Sequence, residues 1–156
     1  MFSHALSTHK ADNEIDFFAA VDDQQTKAES GAAITSTLEF NSATYYRFAA
    51  LNLDMLADED HLGNMTPEER QYVVRTFLEA TIHAVPVARK YTMNGNTLPV
   101  YVLGVVREKG HPIQLVNAFE NPIRPSQNGF VVESIKRVNG EYADMKETWG
   151  IKAQFA

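Results

Sequence analysis

Three features of the sequence predict an α+β fold. Strand-like runs occur at Leu38–Leu51, where apolar and polar residues alternate, at Leu98–Arg107 and at Ile113–Phe119. Stretches at period 3.6 occupy 67–82 and 131–149. Turn and breaker residues separate these stretches.

The chain begins with a segment unlike the rest. Between His9 and Ser30 lie Asp12, Glu14, Asp16, Asp22, Asp23 and Glu29, interrupted by the apolar cluster Ile15 to Val21. No single period persists through it, so residues 1–32 read as a long arm with a sticky tip. Leu38 and Phe40 then alternate with polar neighbours. Thr44, Tyr46, Phe48 and Ala50 share one strand face, and Tyr45, Arg47, Ala49 and Leu51 share the other. Asn41-Ser42 marks a bend within the run.

A helix is expected next. Thr66 can cap it, Pro67 suits its first position, and Glu69 can complete a capping box. Val74, Phe77, Leu78 and Ile82 follow at helical spacing, and Pro86 stops the element. Leu98–Arg107 is a β-branched run of the kind found in a buried central strand. Lys109-Gly110-His111-Pro112 reads as a turn, and Ile113–Phe119 as the returning strand. Val131, Ile135, Val138, Tyr142, Met145 and Trp149 form the cleanest helical stripe. Gly140 inside it costs about 1 kcal/mol relative to Ala, which predicts a kink or break. Ile151, Ala153 and Phe155 alternate as one more strand. In order, residues 33–156 give strand, helix, strand, strand, helix, strand, the βαββαβ pattern of a ferredoxin-like antiparallel sheet with two helices.

Composition narrows the function. The chain has 156 residues, 44% hydrophobic and 22% charged, enough for a real core and against bulk disorder. Acidic residues outnumber basic ones by 20 to 14, for a net charge of −6. That balance disfavours general binding of nucleic acid or acidic membranes, because neutralising phosphates needs surplus Lys and Arg. There are no cysteines, so disulfides, thiol nucleophiles and thiolate zinc sites are excluded. The N-terminus lacks the pattern of a signal peptide, and no apolar run approaches the roughly 20 residues of a membrane helix. A cytoplasmic chain with no membrane partner is expected.

No constellation points to catalysis, a cofactor or a metal. Asp58-Glu59-Asp60-His61 is the most metal-like cluster, yet it precedes a helix start, where acids are favoured anyway, and matches no EF-hand or zincin spacing. A small enzyme or ligand-binding domain using Asp60 and His61 is the alternative reading. His4 and His9 align on neither a helix nor a strand face. His83 falls at a helix end, where a cation is welcome. Asp22 and Asp23 are adjacent, and in an extended segment they point to opposite faces. The Phe17-Phe18 pair in an acidic arm must either dock on the body or meet a partner. Aromatic rings stacked on single-stranded bases contribute about 1–3 kcal/mol per base and need no surplus charge.

The stretches His4–His9, Ile15–Asp23, Leu38–Phe40, Tyr45–Leu53, Val85-Pro86, Pro112–Glu120 and Gly129-Phe130, in this order and spacing, resemble the C-terminal half of the CasC family. That family, of the RAMP superfamily, supplies the crRNA-binding backbone subunit of the type I-E CRISPR Cascade complex. The resemblance implies an RRM-like palm preceded by a β-hairpin thumb, which would be the arm of residues 1–32. It implies no catalysis. Copies would self-associate along one CRISPR RNA beside other Cascade subunits, with thumbs kinking the duplex of guide and target DNA strand. Phe17, Phe18 and Ala19 would sit at the base-facing tip, with His9 and Lys10 also assigned to nucleic-acid contact. The family often has Trp where Phe17 stands, so stacking should persist with less area. The family's first half, with most of its basic residues, has no counterpart here, and the C-terminal tail looks shortened. The expectation is therefore a fragment whose palm portion, 33–156, is incomplete by itself.

Overall fold

A computed structural model describes residues 1–20, 34–86 and 94–153. The adjacent acids Asp22 and Asp23, the expected boundary at 32/33 and the end of the last expected strand, Phe155, lie outside the described residues. The elements are β1 (Leu6–Ser7), β2 (Glu14–Ala20), β3 (Ile34–Phe40), β4 (Tyr45–Tyr46), α1 (Leu53–Leu56), α2 (Pro67–His83), a 3₁₀ turn at Val116–Phe119, and α3 (Val131–Trp149). The α+β class, antiparallel pairing, a leading hairpin and two long helices are thus observed. The chain divides into two units, one of Met1–Phe2, Ala49–Pro112 and Lys152–Ala156, the other of Ser3–Phe48 and Ile113–Ile151.

In the second unit, β2 and β3 form an antiparallel ribbon in unbroken register from Glu14 opposite Phe40 to Ala20 opposite Ile34. The returning leg of the arm is therefore Ile34–Phe40, which carries the hairpin beyond the 1–32 segment. A separate two-stranded sheet pairs Leu6 with Tyr46 and Ser7 with Tyr45. The expected alternation holds from Thr44 to Phe48, with Thr44, Tyr46 and Phe48 half-buried and Tyr45 and Arg47 exposed.

Among the described residues, the core of this unit is Leu115, Ile123, Val138 and Tyr142, with Thr8, His9 and Ser134 as buried polar members. Helix α3 supplies three of these along one stripe, at Ser134, Val138 and Tyr142. The helix runs unbroken through Gly140, where a side chain would face open space, so the expected break does not form. It stops at Gly150, whose left-handed backbone (φ 58°) lets its N–H and that of Ile151 both reach the Lys146 carbonyl. Trp149, the last residue of the expected stripe, is 74% exposed.

The expected strand at Ile113–Phe119 is instead an irregular approach followed by a 3₁₀ turn that packs on α3, with Leu115 buried. A strand is stable only with a hydrogen-bonding neighbour, and here a side chain fills that place. The Tyr46 hydroxyl donates to Gln114 Oε1 at 2.6 Å and accepts from the Leu115 N–H at 3.2 Å, while its ring tilts against Phe119. Burial pushes the Tyr46 hydroxyl above its ordinary value of 10.0, with the Leu115 amide pulling the other way. Tyr46→Phe strands the Leu115 amide and is expected to cost about 1–3 kcal/mol in urea unfolding. The raised value also sets a pH dependence. The unfolded chain deprotonates Tyr46 first, so this stabilisation is complete below about pH 10 and lost as pH rises further. Tyr46→Phe should flatten that alkaline decline.

In the first unit, α2 begins as expected. Thr66 Oγ1 accepts from the Glu69 N–H at 3.3 Å and Glu69 Oε2 accepts from the Thr66 N–H at 2.8 Å, with Pro67 at the first position. The helix ends at His83, three residues before Pro86. Val74, Phe77 and Ile82 are half-buried, and Phe77 meets Phe2 at a ring separation of 6.0 Å. The run Leu98–Arg107 is not a buried central strand. Val100 is 75% exposed, Leu98 and Val102 are exposed too, and no strand is assigned there. A β-branched run becomes a strand only when neighbouring strands pair with its edges, and among the described residues no named strand runs beside it.

Candidate nucleic-acid interface

The arm is a two-stranded ribbon, and its two legs are tied below the strands by side chains. Asn41 Nδ2 donates to Asn13 Oδ1 at 2.9 Å, the Tyr45 hydroxyl donates to Asn41 Oδ1 at 3.0 Å, and Asn13 Nδ2 reaches Glu39 Oε2 at 3.4 Å. This ladder compensates for a weakness of the motif, since an isolated two-stranded hairpin is marginal in water. On the ribbon, Phe17 pairs with Thr37, Phe18 with Ser36 and Ala19 with Thr35. Phe17 is 77% exposed and so does not dock on the body of the unit. A large aromatic held in water on a paired strand is available to stack on a planar partner.

His9 and Lys10 lie at the root of the first leg, and the structure treats them differently. Lys10 is exposed, with its ammonium 3.4 Å from the Asp12 carboxylate. His9 is buried, and both ring nitrogens are engaged by the backbone. Nε2 accepts from the Thr44 N–H at 3.1 Å, and Nδ1 lies 2.8 Å from the Lys10 carbonyl, so the neutral tautomer carries its proton on Nδ1. The ring stacks on Phe130 at 3.7 Å and 10°. Beside it, the Ile123 N–H donates to the Thr8 carbonyl at 3.0 Å, and Ser134 Oγ lies 3.0 Å from Thr8 Oγ1.

The acidic cluster Asp58–His61 builds a turn. The Asp58 carbonyl accepts from the His61 and Gly63 amides, and its carboxylate accepts from the Asp60 N–H at 3.3 Å. Gly63 is required there, since a Cβ would lie 2.7 Å from the Asp58 carbonyl oxygen. Among the described residues, no three of His, Asp and Glu converge as metal ligands would. Also among them, no helix is long and apolar enough to cross a membrane.

Sequence reasoning missed the contacts that assemble the root. The His9–Phe130 stack and the Thr8–Ser134 hydroxyl pair, 126 residues apart, join chain ends whose spacing carries no periodic signal. The one hint was that Gly129-Phe130 and His4–His9 both belong to the stretches that carry the family resemblance.

The family model described as CT1975-like protein matches residues 1–156, the whole chain. The chain belongs to the CT1975-like family. Among solved structures, one described as a CRISPR RNA-guided surveillance complex contains a chain similar to this one, at 28% identity with a TM-score of 0.76. The match covers 97% of this chain and 56% of that one. A second, described as a CRISPR RNA-guided surveillance complex, pre-nicking, is similar at 28% identity and a TM-score of 0.75, covering 97% of this chain and 40% of its counterpart. Curated proteins give no match. This CT1975-like chain thus spans about half the length of the solved chains it resembles, and the expected kinship with subunits of CRISPR surveillance complexes is borne out.

Proposed function

We propose that this CT1975-like chain is the C-terminal part of a cytoplasmic, non-catalytic backbone subunit of a type I-E Cascade complex, and that it binds CRISPR RNA. The exposed Phe17 on a braced hairpin carries the proposal, because a ring held away from its own core can stack on bases or wedge between them. The similarity to chains of RNA-guided complexes supports the same reading. Phe18 and Ala19 follow Phe17 on β2 and complete the proposed tip, and Lys10 supplies a cation at the root of the arm. His9 contributes indirectly, by fixing the root. Base identity is read through pairing between guide and target, while self-association and other Cascade subunits complete the assembly.

The charge of −6 limits what the chain binds by itself. Anisotropy titration of a labelled single-stranded RNA at physiological salt should give saturable binding with Kd of about 1 μM or weaker. Sub-micromolar affinity would contradict this account of the charge, and no saturable binding at any concentration would contradict the RNA reading.

A further inference from the structure

We propose that His9 is a positioning residue, a latch at the root of the arm whose bond to Thr44 forms only while its Nε2 is unprotonated. The inference rests on the RNA reading for what the arm does, but the latch itself stands on geometry alone. The ring bridges the two legs of the arm: it is part of the first leg, and through Nε2 it accepts from the amide of Thr44 on the second. Phe130 stacks on one face, and the bond between Nδ1 and the Lys10 carbonyl fixes the ring's rotation. With Nδ1 committed as donor, Nε2 is the only nitrogen left to accept. A second proton converts it into a donor facing the Thr44 N–H, which breaks the bond and sets two donors against each other. Histidine is the side chain suited to such a change near neutral pH.

Other charges around the ring are already engaged or lie outside it. Lys10 is paired with Asp12, Glu133 on the first turn of α3 is paired with Arg137, and Arg124, which follows Ile123, is exposed. Both ring nitrogens face backbone groups, so the ring's own proton controls the contact.

The test uses the full chain and follows amide hydrogen exchange by NMR at about pH 7.5 and about pH 5.5, corrected for intrinsic rates. Lowering the pH should speed exchange at Thr44 and along β2 and β3 by about tenfold in the wild type. His9→Phe keeps a ring on Phe130 but removes the acceptor, and should show the fast exchange at both pH values. His9→Gln, whose side-chain oxygen can take the place of Nε2, should show slow exchange at both. A pH response in His9→Gln equal to that of the wild type would overturn the latch, as would slow exchange in His9→Phe. Circular dichroism of each variant separates a released arm from an unfolded chain. Parallel titrations with a single-stranded uridine oligonucleotide should weaken as the arm is released, because only the placed fraction binds. Exchange that behaves as expected in a chain that never binds the oligonucleotide would support the latch and overturn the RNA reading.

Discussion

Replacing Ile123 with Ala should lower the unfolding free energy by about 2–5 kcal/mol, the largest effect on stability of any single truncation considered. Ile123 is 4% exposed and, among the described residues, shares its core with only Leu115, Val138 and Tyr142, so few of these neighbours can move in to fill the space. Its backbone is fixed as well, since its amide donates to the Thr8 carbonyl and it bridges to His9 in parallel. A fixed backbone and a small core leave a cavity that cannot collapse, and cavity and transfer costs then add. Ordinary domains have only about 5–15 kcal/mol in total, so this one change removes a substantial share. Urea unfolding followed by circular dichroism reads the loss directly. A cost below about 1 kcal/mol would mean that the site relaxes and that the core is looser than its burial indicates.

Replacing Phe17 with Ala should have the opposite profile. The ring is exposed in the free chain, so stability should change by no more than about 0.5 kcal/mol. RNA affinity should fall by the stacking contribution of about 1–3 kcal/mol per base, a weakening of about 5- to 150-fold. Phe17→Trp restores or exceeds wild-type affinity by offering a larger ring. The two measurements together separate a wedge from a packing residue. Unchanged RNA affinity combined with lost self-association would instead assign the ring to a neighbouring subunit.

Local signals carried well from sequence to structure. The capping box at Thr66 and Glu69 forms in full, because its partners are three residues apart and need nothing else. The α3 stripe buries Val138 and Tyr142 as its period requires, and the alternation from Thr44 to Phe48 holds. Expectations failed where the outcome depended on neighbours. Leu98–Arg107 has the composition of a central strand but, among the described residues, no flanking strand, and Ile113–Phe119 met a tyrosine hydroxyl and a helix instead of a ladder. Gly140 lowers helix propensity locally, yet the packed stripe on either side carries the helix through.

The candidate site was legible to a similar degree. Phe17 stood out as an aromatic in an acidic segment that must either dock or meet a partner, and the structure leaves it exposed. The role of His9 was not legible, because an isolated histidine in sequence reveals neither its burial nor the amide it accepts from. Thr44 and Phe130 come to it from 35 and 121 positions along the chain.

Helix α2 has 17 residues, none of them buried, so its persistence depends on its own ends and on half-covered contacts such as Phe77 with Phe2. Helices held this way open in small local excursions, whereas α3, with Ser134, Val138 and Tyr142 in the core, opens only with its unit. The two long helices therefore belong to different tiers of cooperativity. A protease or a binding partner would find α2 already close to adaptable, while the framework behind the arm stays fixed.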